Sequence, residues 1–434
     1  MTISRRQFLH TSAGSALAAP AVSGLLWPLS ATAADGKPKG ETRPQRLAVV
    51  TTIYRRNSHA DHIAGRFLTG YSINGRHHQP AHKVVSMHVE QVGADDLSVG
   101  LARQYGFPLY PTVREALRAG SDSLNVDAVL YIGEHGDYPR NDIGQKLYPR
   151  HRMLGEVVAE FRDSGRSVPV FNDKHLSTRW EECQEMVDDS RRLDFAFLAG
   201  SSLPVTRRMP AIDMPWQADL KESVCVGYGG VDSYDFHALE TAQCMSERRA
   251  GGETGIRKVH ALKGDNFWQR IGQSDCEITR KLIVSALTRS HNLPVDTGFP
   301  TDAVTMDWFH KSLPNTTGYL IEHRDGFRTT MLLTGIRDFN YAGMLADGNI
   351  VSCQMYLPMP GHGSTTADFF NPLCRHVETT MIEGKAPYPV ERTLLTSGMV
   401  IGAVDSLFAG EKPIATPDMA VKYMGPKESM YWMG

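Results

Sequence analysis

The sequence predicts an α/β chain in which a parallel-sheet domain is followed by an α+β domain with an antiparallel sheet. Two observations carry this. Apolar runs of strand length alternate with helix-period segments up to about residue 200, and beyond about residue 215 strand-like runs are separated by turn signals instead of helices.

The N-terminus comes first. Ser4-Arg5-Arg6-Gln7-Phe8-Leu9 precede a weakly apolar run from Ala13 to Leu29 and then Ala31-Thr32-Ala33. This is the pattern of a twin-arginine export signal over residues 1–33, with a small-x-small cleavage site. Gly14, Pro20, Gly24 and Pro28 interrupt the run, so it reads as a signal and not as a membrane-spanning anchor. Export through the twin-arginine translocase to the periplasm is therefore expected, and that route suits passengers that fold around a cofactor first. Residues 34–45 carry Gly and Pro without apolar periodicity and read as a linker.

From residue 46 to 200 the alternation is regular. Arg46–Ile53, Val84–Val89, Val126–Gly133 and Val168–Phe171 are β-branched apolar runs, as strands buried on both faces require. Leu97, Leu101 and Tyr105 recur at helical spacing, and Met153–Phe161 suits a crossover helix. Thr112 with Glu115 and Thr178 with Glu181 read as capping boxes. From 201 to 434, Arg257–Trp268, Thr317–His323, Arg328–Thr334 and Ile350–Leu357 read as strands, with Asp325-Gly326 and Asp347-Gly348 as turns. Helices are expected at 235–248 and 276–290. His77, His78 and His82 fall in a Gly/Pro-containing stretch and read as solvated.

Composition excludes whole function classes. The 434 residues are 41% hydrophobic and 22% charged, which is globular and not disordered. With 46 basic and 48 acidic residues the net charge is -2, so no nucleic-acid partner is indicated and a small molecule fits better. The six cysteines form no C-x-x-C pair, which points to buried thiols over a zinc ribbon or a disulfide scaffold.

The collinear series Ala102-Arg103-Gln104-Tyr105-Gly106, Thr112–Leu117, Val126-Asp127-Ala128-Val129, His151 and Asn172-Asp173-Lys174-His175 resembles the Gfo/Idh/MocA oxidoreductases. Glu383-Gly384-Lys385-Ala386-Pro387, Ser406 and Thr416-Pro417 extend the resemblance to the C-terminal segment, which it places back on the first domain. It implies a Rossmann-like nucleotide-binding domain and a second domain with an open antiparallel sheet through whose face subunits associate into a dimer or tetramer. It also implies NAD or NADP as cofactor and a sugar, sugar acid or cyclitol as substrate. Lys174 and His237 would move the proton, with Asp173 and Asp235 orienting them. Thr51, Thr52, Arg55, Arg56, Glu90 and His151 occupy the dinucleotide-contacting positions. The turn after the first strand, Thr51–His59, departs from the family in having no glycine, so its side chains obstruct the close backbone approach that a pyrophosphate uses, while Arg55 and Arg56 offer charge.

A second constellation lies outside the family pattern. Glu134, His135 and Asp137 end the third strand, Asp173 and His175 end the fourth, and His237 and Glu240 share one helix face. Carboxylate and imidazole converging there would suit Mn, Fe or Zn and a lyase, isomerase or hydrolase reaction. Under this chemistry the loop from Gly133 to Arg150 would act as a lid. A third reading is a non-catalytic sugar-binding protein.

Overall fold

The structure, a computed structural model, describes residues 45–293, 305–357 and 367–433. The expected export signal and all but the last residue of the linker lie outside the described residues.

Five parallel strands form the first sheet. In chain order its elements are β1 (Gln45–Thr51), α1 (His59–Thr69), the small hairpin β2 (Tyr71–Ile73) and β3 (Arg76–His78), β4 (His82–Val89), α2 (Ser98–Tyr105), α3 (Val113–Arg118), β5 (Ala128–Ile132), α4 (Arg150–Ser164), β6 (Val170–Asp173), α5 (Trp180–Arg192) and β7 (Phe197–Gly200). The sheet order is β4-β1-β5-β6-β7. Alternate residues of β1 serve opposite faces. Ala48 and Val50 join a core with Val113, Leu154, Val158 and Val187 of α3, α4 and α5. Leu47 and Val49 pack with Ile63 and Phe67 of α1.

The second sheet has eight strands. Its elements are β8 (Arg208–Met209), β9 (Leu220–Tyr228), α6 (Asp235–Ser246), β10 (Ile256–Lys263), α7 (Gly264–Ile271), α8 (Glu277–Leu287), α9 (Met306–Ser312), β11 (Thr317–His323), β12 (Arg328–Thr334), β13 (Asn340–Leu345), β14 (Ile350–Met355), α10 (Phe370–Glu383), α11 (Glu391–Phe408) and β15 (Ile414–Ala415). The order is β15-β10-β11-β12-β9-β13-β14-β8, antiparallel except for the β12–β9 pair. Cys225 faces Phe236 and Leu239 of α6, whereas Val224 and Val226 face Leu282, Ile283 and Ala286 of α8. Both faces are thus covered, and the face that the resemblance leaves to a partner subunit carries α7, α8 and α9. Helix α10 leaves this sheet altogether and packs Leu373 and Val377 against Ile63 and Phe67 of α1.

Several local expectations are corrected. The run Arg257–Trp268 ends as a strand at Lys263 and continues as α7, because Phe267, Trp268 and Ile271 recur at helical spacing and are buried. Thr112 caps α3 as expected, its hydroxyl accepting from the Glu115 amide. Thr178 does not cap α5; the helix begins after Arg179, and Ser177 binds the Glu182 carboxylate. Strand β9 escapes the apolar pattern because Glu222 interrupts it, yet Glu222 is buried against Arg328 and Thr279. His77 is exposed as expected, His78 is half-buried and bonds the buried Glu378 at 2.6 Å, and His82 is buried in β4 and not solvated. All six cysteines are buried and free.

One buried ion pair fastens α11 to α6. The Arg392 guanidinium lies 4.0 Å over the Tyr388 ring and donates to both oxygens of Glu247, which also accepts from Tyr423 Oη at 2.9 Å. Arg392→Met leaves Glu247 buried and uncompensated, so denaturant unfolding is expected to show a loss of about 3–5 kcal/mol.

Candidate functional site

A cavity of about 390 Å³ opens at the carboxyl ends of the parallel strands, between α1, the start of α10 and α6. Open α/β sheets place their ligands at this edge. Its polar wall is His59, Glu134, His135, Lys174 and His237, and its rings are Tyr148, Tyr234, Phe369 and Phe370.

Backbone geometry aims two of these residues. Lys174 follows β6 with φ 63°, and His135 follows β5 with φ 67°. Each left-handed residue costs about 1–3 kcal/mol and persists only where its surroundings enforce it. For Lys174 the enforcement is visible. Its amide donates to the Gly200 carbonyl at 3.0 Å, and the Asn172 amide group donates to the carbonyls of Asp173 (3.3 Å) and Lys174 (3.2 Å). Gly200 itself sits at φ 125°, where a Cβ would meet Glu240 Oε1 at 2.5 Å.

The charges are arranged in layers. Glu134 is buried with Lys174 Nζ at 3.7 Å and donates nothing, while Arg150 donates to its Oε1. Burial pushes the Glu134 carboxyl up, but Lys174 and then Arg150 hold it well below the usual range. The other arm of Arg150 donates to His175 Nε2 at 3.0 Å, and the guanidinium lies 4.7 Å over the Tyr148 ring. Burial lowers His135 to about 3 and, with the Lys174 charge, holds His237 well below its ordinary value, so both imidazoles are neutral. His135 Nε2 and His237 Nδ1 are buried and unpartnered.

His59 was missed by the sequence reading. Its Nδ1 lies 2.6 Å from Asp173 Oδ2, so the two share a proton. Burial drives His59 well down and raises Asp173 to about 7. The one signal in the sequence is Ser58-His59-Ala60-Asp61-His62 after the first strand: Ser58 caps α1, which sets His59 and His62 on one helical face. Both line the cavity, with His62 stacked on Phe370 at 5.2 Å.

Other expected site residues lie elsewhere. Asp235 is buried at the start of α6, where it accepts from the amides of Asp232, Ser233 and Phe236 and from Tyr319 Oη; it supports the helix end and does not bond His237. Asp137 is exposed, His175 lies behind Arg150, and Glu240 accepts from the amide and hydroxyl of Ser201. The metal set Glu134, His135, Asp137, His175 and Glu240 therefore does not converge. Among the described residues no three His, Cys, Asp or Glu side chains are arranged to hold a metal ion. The Gly133–Arg150 loop is pinned through reciprocal bonds between Gln91 and Asp137 and from the Lys146 amide to Asp232, with Tyr148 forming part of the cavity wall.

The dinucleotide positions are largely spent on internal bonds. The Thr51 hydroxyl donates to the carbonyls of Ile132 and Ile53, and that of Thr52 to the Glu134 carbonyl. Glu90 accepts from Tyr138 and Arg152, and His151 pairs with Glu185 on the outer surface while its neighbour Arg150 turns inward. At the β1–α1 turn Ser58 Oγ accepts from the amides of Arg55 and Asp61, and Asp61 Oδ2 from that of Asn57. A glycine-rich turn leaves such amides free for a pyrophosphate; here side chains take them, and the adjoining hollow of about 350 Å³ adds Asp95, Asp96 and Asp137. The turn does not fit a pyrophosphate in that manner. Arg55, paired at 4.0 Å with Asp95, and the exposed Arg56 are the cations it presents.

No protein-family profile and no curated protein matches this sequence. Solved structures do match along nearly the whole chain. GenD2 from gentamicin A biosynthesis, solved in complex with NAD, is 12% identical with a TM-score of 0.53, over 88% of this chain and 99% of its own. An apo scyllo-inositol dehydrogenase from Lactobacillus casei is 10% identical with a TM-score of 0.50, over 86% and 98%. The fold is therefore the two-domain fold of the Gfo/Idh/MocA-type dehydrogenases.

The His59–Asp173 pair makes stability depend on pH. Because the folded carboxyl titrates near 7 and the unfolded one near 3.8, folding favours the protonated acid; the added stability is complete below the unfolded value and is lost as pH rises through 7. Unfolding midpoints measured from about pH 5 to about pH 9 should fall on the order of 1–4 kcal/mol more for wild type than for Asp173→Asn, which has no acid to titrate.

Proposed function

We propose that the protein is an oxidoreductase of this fold acting on a polyhydroxylated ring, a sugar, sugar acid or cyclitol, with NAD or NADP as hydride partner. The observation that carries the proposal is the grouping of Lys174, His237 and the Asp173-backed His59 around one aromatic-walled cavity at the carboxyl edge of the parallel sheet. Aromatic walls with a few polar groups suit a ring whose faces are apolar and whose rim is hydroxylated. The fold shared with an NAD complex and an inositol dehydrogenase supports the same reading.

The nicotinamide, when bound, supplies two-electron hydride chemistry. This chain's own residues supply the proton chemistry. With Asp173 ionised and holding Nδ1–H, neutral His59 offers Nε2 as a base to a substrate hydroxyl. The Lys174 ammonium stabilises negative charge on the oxygen as that proton leaves. His237, neutral and unpartnered at Nδ1, is a further hydrogen-bonding group for the ring.

The side-chain-filled β1–α1 turn favours a second reading, in which the same centre moves protons between C–H and O–H without a nucleotide, as in a lyase or isomerase. Delivery to an exported compartment by the twin-arginine translocase and assembly as a dimer or tetramer belong to the proposal; residues 1–33 support the first and the family resemblance the second.

The test is a panel of sugars, sugar acids and cyclitols with NAD and NADP, followed by reduced-nicotinamide absorbance and by product analysis. Turnover is expected, with kcat lowered about 10²–10⁴-fold in Lys174→Ala and His59→Ala. Product formed without nucleotide reduction selects the second reading, and turnover unaffected by either substitution removes both.

A further inference from the structure

The substrate class can be narrowed by asking which valences in the cavity are unspent. This step rests on the reading that the cavity binds substrate. Lys174 is 8% exposed, yet its ammonium makes no hydrogen bond to a described residue; its charged neighbour Glu134 stands at 3.7 Å, beyond hydrogen-bond reach. Glu134 is in any case engaged at its other oxygen by Arg150, and Asp173 is engaged by His59. An ammonium carries three donors, and a group entering the cavity can take them up. The cavity thus presents an ammonium whose nearest carboxylate oxygen, on Glu134, stands at 3.7 Å and which has no hydrogen-bond partner among the described residues.

We infer that the substrate carries a carboxylate seated on Lys174: a sugar acid and not a neutral sugar, a cyclitol or a sugar phosphate. The polar wall separates these classes. A neutral polyol brings hydroxyls that can accept from the ammonium but no charge to balance it, whereas a carboxylate does both. A phosphate dianion calls for a second cation. Among the described residues, Lys174 is the one lysine or arginine lining the cavity. Arg150 behind it is spent on Glu134 and His175. One ammonium beside the Arg150-paired Glu134, among neutral imidazoles and aromatic rings, fits one monoanionic group on a hydroxylated ring.

The experiment is calorimetric titration of the full chain, processed as it is in the cell, with glucuronate and galacturonate against glucose, galactose, myo-inositol and glucose 6-phosphate. Each acid with the right ring is expected to bind at least about 10-fold tighter than its neutral parent, about 1.4 kcal/mol, with the preference shrinking as salt rises. Lys174→Met should abolish the preference while its circular dichroism stays that of the folded protein, and Lys174→Arg, which keeps the charge, should retain part of it. Neutral parents binding as tightly as the acids, an acid preference that survives Lys174→Met, glucose 6-phosphate as the tightest ligand, or no binding by any acid would each overturn the inference. Acids that bind without any redox turnover leave it standing and remove the oxidoreductase reading; nucleotide-linked oxidation of a neutral sugar does the reverse.

Discussion

A single buried guanidinium organises the candidate site. Arg150, the first residue of α4, reaches under the cavity to Glu134 at the end of β5 and to His175 just past β6, and it stacks on Tyr148 of the long loop between. Its own carbonyl accepts from Tyr131 Oη on β5 at 2.9 Å. A charge so deeply buried is tolerated only when paired and hydrogen-bonded. Pairing it with Glu134 fixes the ends of two neighbouring strands and neutralises an acid that would otherwise occupy Lys174 fully. What remains on the cavity side is a lysine with donors to spare.

Around that base the chemistry is assembled from elements that are distant in sequence. His59 comes from the start of α1 and Asp173 from the end of β6, 114 residues apart, while His237 comes from α6 beneath the second sheet. The parallel order β4-β1-β5-β6-β7 brings the first two together, since α1 follows β1 and β6 lies two strands away at the same edge. Two left-handed residues, Lys174 and His135, then turn their side chains inward. Strain of this kind is held here by Asn172 and by Gly200 against Glu240.

The β1–α1 turn is built differently from a glycine-rich one. Where a glycine-rich turn would present free amides, Ser58 accepts from those of Arg55 and Asp61, and Asp61 from that of Asn57. Glu90, whose position at the end of β4 suits a ribose contact, instead ties Tyr138 and Arg152 and so helps to pin the loop that contributes Tyr148. Side chains that the resemblance assigns to a cofactor thus stiffen the wall of the candidate cavity.

Much of the architecture was legible from local pattern. Period-two and period-3.6 spacing located most strands and helices, the Thr112 cap, and the place of Lys174 directly after a strand, because these depend on residues within one turn or one pleat of each other. Strand β9 was hidden because Glu222 breaks its apolar run, and Arg328, 106 residues away, with Thr279 makes that acid tolerable in a core. The site was less legible for the same reason. His151 and Arg150 differ by one position and 100° on a helix, and packing sends the arginine inward and the histidine out to Glu185. The sequence by itself determined the order of elements and the edge at which chemistry would gather. Which nitrogen meets which carboxylate was decided by the tertiary structure, because desolvation and pairing act between side chains that only the packed sheets bring within hydrogen-bond distance.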